Sequence, residues 1–258
     1  MNMMHDPKIS TRAGSRQIHW ALLKAARFHS ISLDSIALEN QLLDLWAVIE
    51  TVVNISNQHT SDRINQICMI IVPILKRSYL FSLFNELSID IMNYCEKNYR
   101  TITQGTNGRL EEVQKIAEFV LLPSQEAERS AFLSSLSGFP LLKQRIMHYN
   151  SLLSSTDKVL AFVDKHENRV RWQVMRIYRN RNKIIHNAEK LPYLGLLVEN
   201  LHTYVDDLLD YVIQTVIDGG TLETMRHELF IKECEWMSVF TRKKAPIDSK
   251  IITLMLKL

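Results

Sequence analysis

Apolar residues recur every three or four positions along most of this chain, the spacing of an α-helix that buries one face. The clearest stripe is Leu38, Leu42, Leu45, Trp46, Ile49 and Val53, which predicts one amphipathic helix. Ahead of it, Trp20, Leu22, Leu23 and Ala26 predict a helix from Arg16 to His29, and Ser30, Ser32, Asp34 and Ser35 supply capping oxygens for a new start. Asn54 to Ser61 reads as a polar loop that caps a helix carrying Ile64, Ile67, Ile71 and Leu75, which Pro73 interrupts or kinks. The series Tyr79, Leu80, Leu83, Phe84, Leu87, Ile91 and Tyr94 continues as core, and Gln104 to Gly108 is a loop. Short helices are predicted at 109–121, at 124–136 beyond Pro123, and near 140–153 after Gly138-Phe139-Pro140.

Ser154 to Asp157 then cap a long helix with Val159, Phe162, Val163, Val170, Val174, Ile177 and Ile184 on one face. Leu191-Pro192 breaks the chain. Leu194, Leu197, Leu201, Leu208, Tyr211 and Val212 form the next stripe, which Gly219-Gly220 ends, and a last helix runs from Thr221 to about Phe240. The tail from Ile251 to Leu258 is too apolar to float, so it docks on this chain or on a partner.

With 7 glycines and 6 prolines in 258 residues, long helices are favoured over a sheet with many turns, and the fold class is all-α. The divisions that follow are a flexible tail at 1–15, a helical domain at 16–218 with about 60–155 as a candidate insertion, and a C-terminal helix with its apolar tail at 219–258. At 46% apolar and 23% charged residues the composition is that of a globular protein rather than a disordered one. Cys68, Cys95 and Cys234 are far apart, odd in number and without histidines at ligand spacing, so neither a disulfide framework nor a zinc site is indicated and a reducing cytoplasm fits. The first thirty residues have no apolar core of signal type. The longest apolar run, Ile67 to Leu75, is short and contains a proline, which argues against a membrane span.

Charge changes the picture in one place. The net charge is only +3, yet between 165 and 190 Lys165, Arg169, Arg171, Arg176, Arg179, Arg181, Lys183 and Lys190 face only Glu167 and Glu189. From 191 to 218 the sign reverses, with Glu199, Asp206, Asp207, Asp210 and Asp218 and no lysine or arginine. The contrast suits a focused anionic ligand, or the pairing of a basic and an acidic helix in an antiparallel hairpin.

Inside the basic window lies Tyr178-Arg179-Asn180-Arg181-Asn182-Lys183-Ile184-Ile185-His186-Asn187. On a helix Arg181 has Ile177, Tyr178, Ile184 and Ile185 as its i±3 and i±4 neighbours, so a guanidinium sits in an apolar stripe. Buried without a partner, such a charge costs several kcal/mol, so it must meet a carboxylate, a second chain, water in a cleft or a ligand phosphate. Tyr178, Asn182 and His186 follow one another at i+4 and set a phenol, a carboxamide and an imidazole along one ridge beside it. Such a set can hold a phosphate and move protons. Arg179 also pairs with His186 at a wider spacing, but its neighbours Met175, Arg176, Asn182 and Lys183 put it on the solvent or ligand face. Glu50, between Trp46 and Val53, is read as a solvated flank, the alternative being a partner for Arg181.

Arg181-Asn182 followed by three residues and His186 resembles the R-x4-H motif of HEPN domains. Arg171-Trp172 and Arg176-Ile177-Tyr178 upstream, Glu199-Asn200-Leu201-His202-Thr203-Tyr204 downstream, and Glu39 through Trp46 to Glu50 resemble segments of the Apea-like HEPN branch, in the same order. The resemblance spans about 19–55 and 168–217. It implies a HEPN-type helical bundle with helices inserted in the middle and appended at the C-terminus. The implied activity is metal-independent endoribonuclease action, without cofactor, by an antiviral-defence or growth-arrest effector. It further implies RNA as substrate and a homodimer whose motif helices share one cleft, and it leaves open a neutralising or sensor protein partner. By resemblance and chemistry together, His186 is the acid–base group, Arg181 stabilises the phosphorane, and Asn182 orients the phosphate or the imidazole. Tyr178, Arg179, Lys183 and Asn187 are candidate substrate contacts.

No metal ligands are expected: the acids of 199–210 spread around their helix, and the remaining histidines show no metal pairing, His202 being read as a packing residue. Two alternatives stand beside this reading. Arg181 and His186 could form a buried polar network with Glu50 or a helix carbonyl, and the chain could be a noncatalytic module that uses the same seam to dimerise or dock a partner.

Overall fold

The computed structural model describes residues 7–53, 60–187, 191–241 and 245–256. Among them it forms eleven α-helices: α1 (Pro7–Asp34), α2 (Leu38–Val53), α3 (Thr60–Tyr94), α4 (Glu96–Ile102), α5 (Arg109–Leu121), α6 (Glu126–Ser135), α7 (Pro140–Leu152), α8 (Thr156–Asn187), α9 (Leu194–Ile217), α10 (Leu222–Thr241) and α11 (Ser249–Leu256). A 3-10 turn at Pro123–Gln125 joins α5 to α6. The described residues contain no strand, only an isolated bridge between Ser155 and Pro246. The all-α class and the short helices of the middle stand where the apolar spacing puts them.

Two helices run further than the sequence predicted. Residues 7–15 of the expected tail are helical backbone, with Pro7 at the first helical position, where its missing N–H costs nothing; residues 1–6 lie outside the described part. Nor does α1 stop at His29. Ser32 is fully buried and its Oγ donates to the His29 carbonyl at 2.7 Å, so the hydroxyl that was expected to cap a new helix bonds back within the old one. The restart comes at Leu38, with Gln41 Nε2 donating to the Ser35 carbonyl at 2.6 Å. Pro73 lies inside α3 without ending it. Its ring leaves the Met69 carbonyl without its usual donor, on a turn whose Met69 side chain is exposed and where water can take over. As a result Arg63–Tyr94 is long and apolar enough, by length and composition, to cross a membrane, which the run Ile67–Leu75 alone was not. Its apolar residues are divided between two cores, Ile67 and Ile71 in one, Leu80, Phe84, Leu87 and Ile91 in the other.

The chain forms two compact units. The first comprises Met1–Leu75 and Glu167–Lys232, the second Lys76–His166 and Glu233–Leu258. The divisions therefore fall inside α3, α8 and α10, where the sequence reading had placed one at 218/219 and another around a central insertion.

In the first unit α1 packs on α2 and α9, and α2 on α9. Each helix contributes residues three or four apart: Ile18, Ala21 and Ala25; Leu42, Leu45, Trp46 and Ile49; Val170, Val174 and Ile177; Leu197, Leu201, Val205, Leu208 and Val212. Burial of each large side chain contributes about 1.5–3 kcal/mol. In the second unit Leu80, Phe84, Leu87 and Ile91 meet Val113, Ile116, Val120, Phe132, Ile146, Val159, Val163 and Trp236. Arg129, 3% exposed, donates to the carbonyls of Phe119 and Leu122 at 2.9 and 3.2 Å, satisfying acceptors at the C-terminal end of α5. The apolar tail docks here: α11 lies on α5, with Ile252, Met255 and Leu256 buried and Gln114 Nε2 donating to Thr253 Oγ1 at 3.0 Å.

Candidate functional site

The motif occupies the last turns of α8. From Val170 the helix buries Val174, Ile177 and Asn180, and the Asn180 amide donates to the Arg176 carbonyl at 2.9 Å, which removes the cost of burying it. The same stripe carries Arg181 and Ile184 along its edge, both half-buried. α8 continues unbroken through Asn187, so the spacing between Arg181 and His186 is helical, about 7.5 Å along the axis. Arg179, about 200° around the helix from Arg181, is exposed, as its neighbours predicted.

Arg181 keeps 25% of its side chain exposed and stands with Nη2 3.8 Å from Glu50 Oε2. Its Nη1 donates to Asn182 Oδ1 at 3.0 Å. Glu50 corrects the sequence reading. It is no solvated flank: at 18% exposure its Oε1 accepts from Trp46 Nε1 at 2.8 Å and lies 3.1 Å from Arg63 Nη2. The Trp46 ring in turn lies against Tyr178, centroids 5.6 Å apart. Connectivity brings Arg63 in, because α2 ends at Val53 and α3 begins at Thr60, so Glu50 and Arg63 sit one turn from adjoining helix ends. The signals were the i,i+4 spacing of Trp46 and Glu50 and the short connection between the helices.

One carboxylate therefore faces two guanidiniums, and at 3.8 Å the Arg181 contact is longer than a hydrogen bond. The cluster carries more positive than negative charge, with donor capacity left on Arg181, which is the electrostatic condition for taking up an anion.

Along the ridge beside Arg181, Tyr178 packs on the core, Asn182 is half-buried and His186 is exposed in the last turn. Lys183 is exposed; the Asn187 side chain lies outside the described part of the chain. The basic residues upstream do not all point at one ligand. Arg171 pairs with Glu167 at 3.3 Å, and the Arg176 guanidinium lies 4.5 Å from the centre of the Tyr193 ring. Trp172 and Ile185 leave 76% and 46% of their surface exposed, apolar area on the motif helix that the first unit does not cover. Burial pushes the Cys68 thiol up, against a smaller opposing effect of Arg171, so it is not poised as a nucleophile.

Structure brings Tyr178, Arg181 and Asn182 together around Trp46 and Glu50; His186, one turn beyond Asn182 and about 140° around α8 from Arg181, stands at the solvent end. Comparison with protein-family models, with curated proteins and with solved structures finds nothing that matches this chain.

Proposed function

We propose that this chain is a metal-independent endoribonuclease of the HEPN type, acting in the cytoplasm as an antiviral-defence or growth-arrest effector. The observation that carries the proposal is the under-neutralised guanidinium of Arg181, held between Asn182 and Glu50 on the helix that presents His186 to solvent. The free thiols Cys68, Cys95 and Cys234 agree with a reducing compartment.

In this mechanism a phosphate of RNA docks on Arg181, with Asn182 orienting it. The 2′-hydroxyl loses its proton and its oxygen attacks the adjacent phosphorus. The bond to the 5′-oxygen then breaks, and that oxygen takes a proton. Imidazole serves either transfer, and guanidinium offsets the charge of the phosphorane between them. The products are a 2′,3′-cyclic phosphate and a 5′-hydroxyl. Tyr178, Arg179, Lys183 and Asn187 are proposed as contacts to the flanking RNA.

Purified protein incubated with RNA in excess EDTA tests this. Cleavage is expected to persist, to leave the cyclic phosphate, and to stop at a junction whose single ribose lacks its 2′-hydroxyl. Undiminished cutting at that deoxy junction would exclude the mechanism, as would activity that EDTA abolishes and magnesium restores.

A second reading, the noncatalytic module that dimerises or docks a partner, is favoured by Glu50, which gives Arg181 a partner within its own chain. The two readings part on cleavage but share one expectation. Trp172 and Ile185, exposed on α8, suit burial against a second copy that brings two motifs to one cleft. Light scattering at micromolar concentration should give the mass of a dimer; a folded, strictly monomeric protein would remove the shared cleft. A neutralising or sensor protein is the further partner proposed for an effector of this kind.

A further inference from the structure

None of the motif residues takes part in a second cluster in the first unit, where His29 of α1 meets His202 and Asp206 of α9. One donor atom from each lies within 4.8 Å of the other two. His29 Nε2 is 3.2 Å from Asp206 Oδ1, and the two imidazole rings stand nearly edge to face with centroids 5.5 Å apart. The fold makes this convergence. His202 and Asp206 are i,i+4 neighbours on one ridge of α9, flanked by the buried Leu201 and Val205, and α1 packs on that helix.

His29 Nε2 is the telling atom. It is closed off from solvent and has no hydrogen-bond partner, because its approach to Asp206 is near in distance but poorly aligned. A buried ring nitrogen in that state is costly unless something accepts or supplies electrons there. Two imidazoles and one carboxylate form a donor set suited to a first-row divalent ion, with a position left for water. Magnesium and calcium prefer oxygen ligands throughout.

We propose that His29, His202 and Asp206 bind a divalent transition ion of the zinc class and thereby tie α1 to α9. Tetrahedral zinc with bonds of about 2.0–2.1 Å places its ligand atoms about 3.3 Å apart, close to the separation of His29 from Asp206. Side-chain rotation closes the rest, since Asp206 is 58% exposed. The clip is separate from the cleavage proposed above, with no residue in common, so either can fail alone. His202, read from sequence as a packing residue, becomes a ligand.

The test uses the full-length, tag-free protein, stripped with EDTA and exchanged into chelator-free buffer. Zinc titrated by calorimetry should bind at one ion per chain, and cobalt(II) should develop the visible absorption of a tetrahedral site. Zinc at about a hundredfold above its Kd should raise Tm by about 5 °C, and magnesium should not. Asp206→Asn changes an exposed residue and keeps the fold; it and His202→Gln should each weaken zinc binding by at least about tenfold. Cys234→Ser, which removes the exposed thiol, should leave binding unchanged. Absence of saturable binding overturns the proposal. So does binding that survives Asp206→Asn and His202→Gln, or that disappears with Cys234.

Discussion

Replacing His186 with alanine should leave the protein folded and lower RNA cleavage by more than about a hundredfold, the loss expected when an acid–base group is removed. The side chain is exposed in the final turn of α8, so its removal opens no cavity. Arg181→Ala should lower cleavage by a comparable factor of about a hundred or more, with helical content retained, because Glu50 keeps Trp46 and Arg63 as partners. Arg179→Ala, on the exposed face, should instead weaken RNA binding and flatten its dependence on salt, the signature of a lost phosphate contact. Single-turnover cleavage beside circular dichroism reads all three. A His186→Ala protein that cuts at the parental rate would end the catalytic assignment; an Arg181→Ala protein that unfolds would make the guanidinium a structural member of the Glu50 cluster.

The largest expected stability effect belongs to Trp46→Ala, about 3–5 kcal/mol in urea unfolding. Trp46 is 1% exposed, and its substitution removes a large apolar surface from the core, the contact with the Tyr178 ring and the indole N–H that holds Glu50. Glu50→Gln should cost less, about 1–3 kcal/mol, because the amide oxygen can still accept from the indole. Trp46→Phe should fall between, restoring ring volume but not the donor. If Trp46→Ala cost under about 2 kcal/mol, the indole would not be the support of the motif helix that its position indicates.

Much of this was legible in the chain. The stripes of α2, α8 and α9 set which face of each helix is buried, and put Arg181 within one of them, where the structure leaves it half-buried at the edge, and Arg179 outside it. What misled was local chemistry with two outlets. A serine hydroxyl can cap a helix or bond back into it, and at Ser32 the second prevailed. A proline can stop a helix or cost it one bond, and at Pro73 the second again prevailed. Glu50 was misassigned because its partner Arg63 comes from the next helix, and only the packing decides which turns adjoin. The convergence of His29 with His202 was hidden in a different way: no periodicity within one segment can report that α1 lies on α9.

The way α3, α8 and α10 each supply both compact units has a consequence for descent. Neither unit is a continuous stretch of the gene. Leu222, Met225 and Leu229 of α10 complete one core while Trp236 and Phe240 of the same helix complete the other, so a frameshift or stop before Leu222 opens both at once. Recombination that exchanges whole segments cannot trade either unit as a cassette. The middle and the C-terminus must therefore be inherited together, and an ancestor that lacked 76–166 would have had no apolar surface there to receive α11.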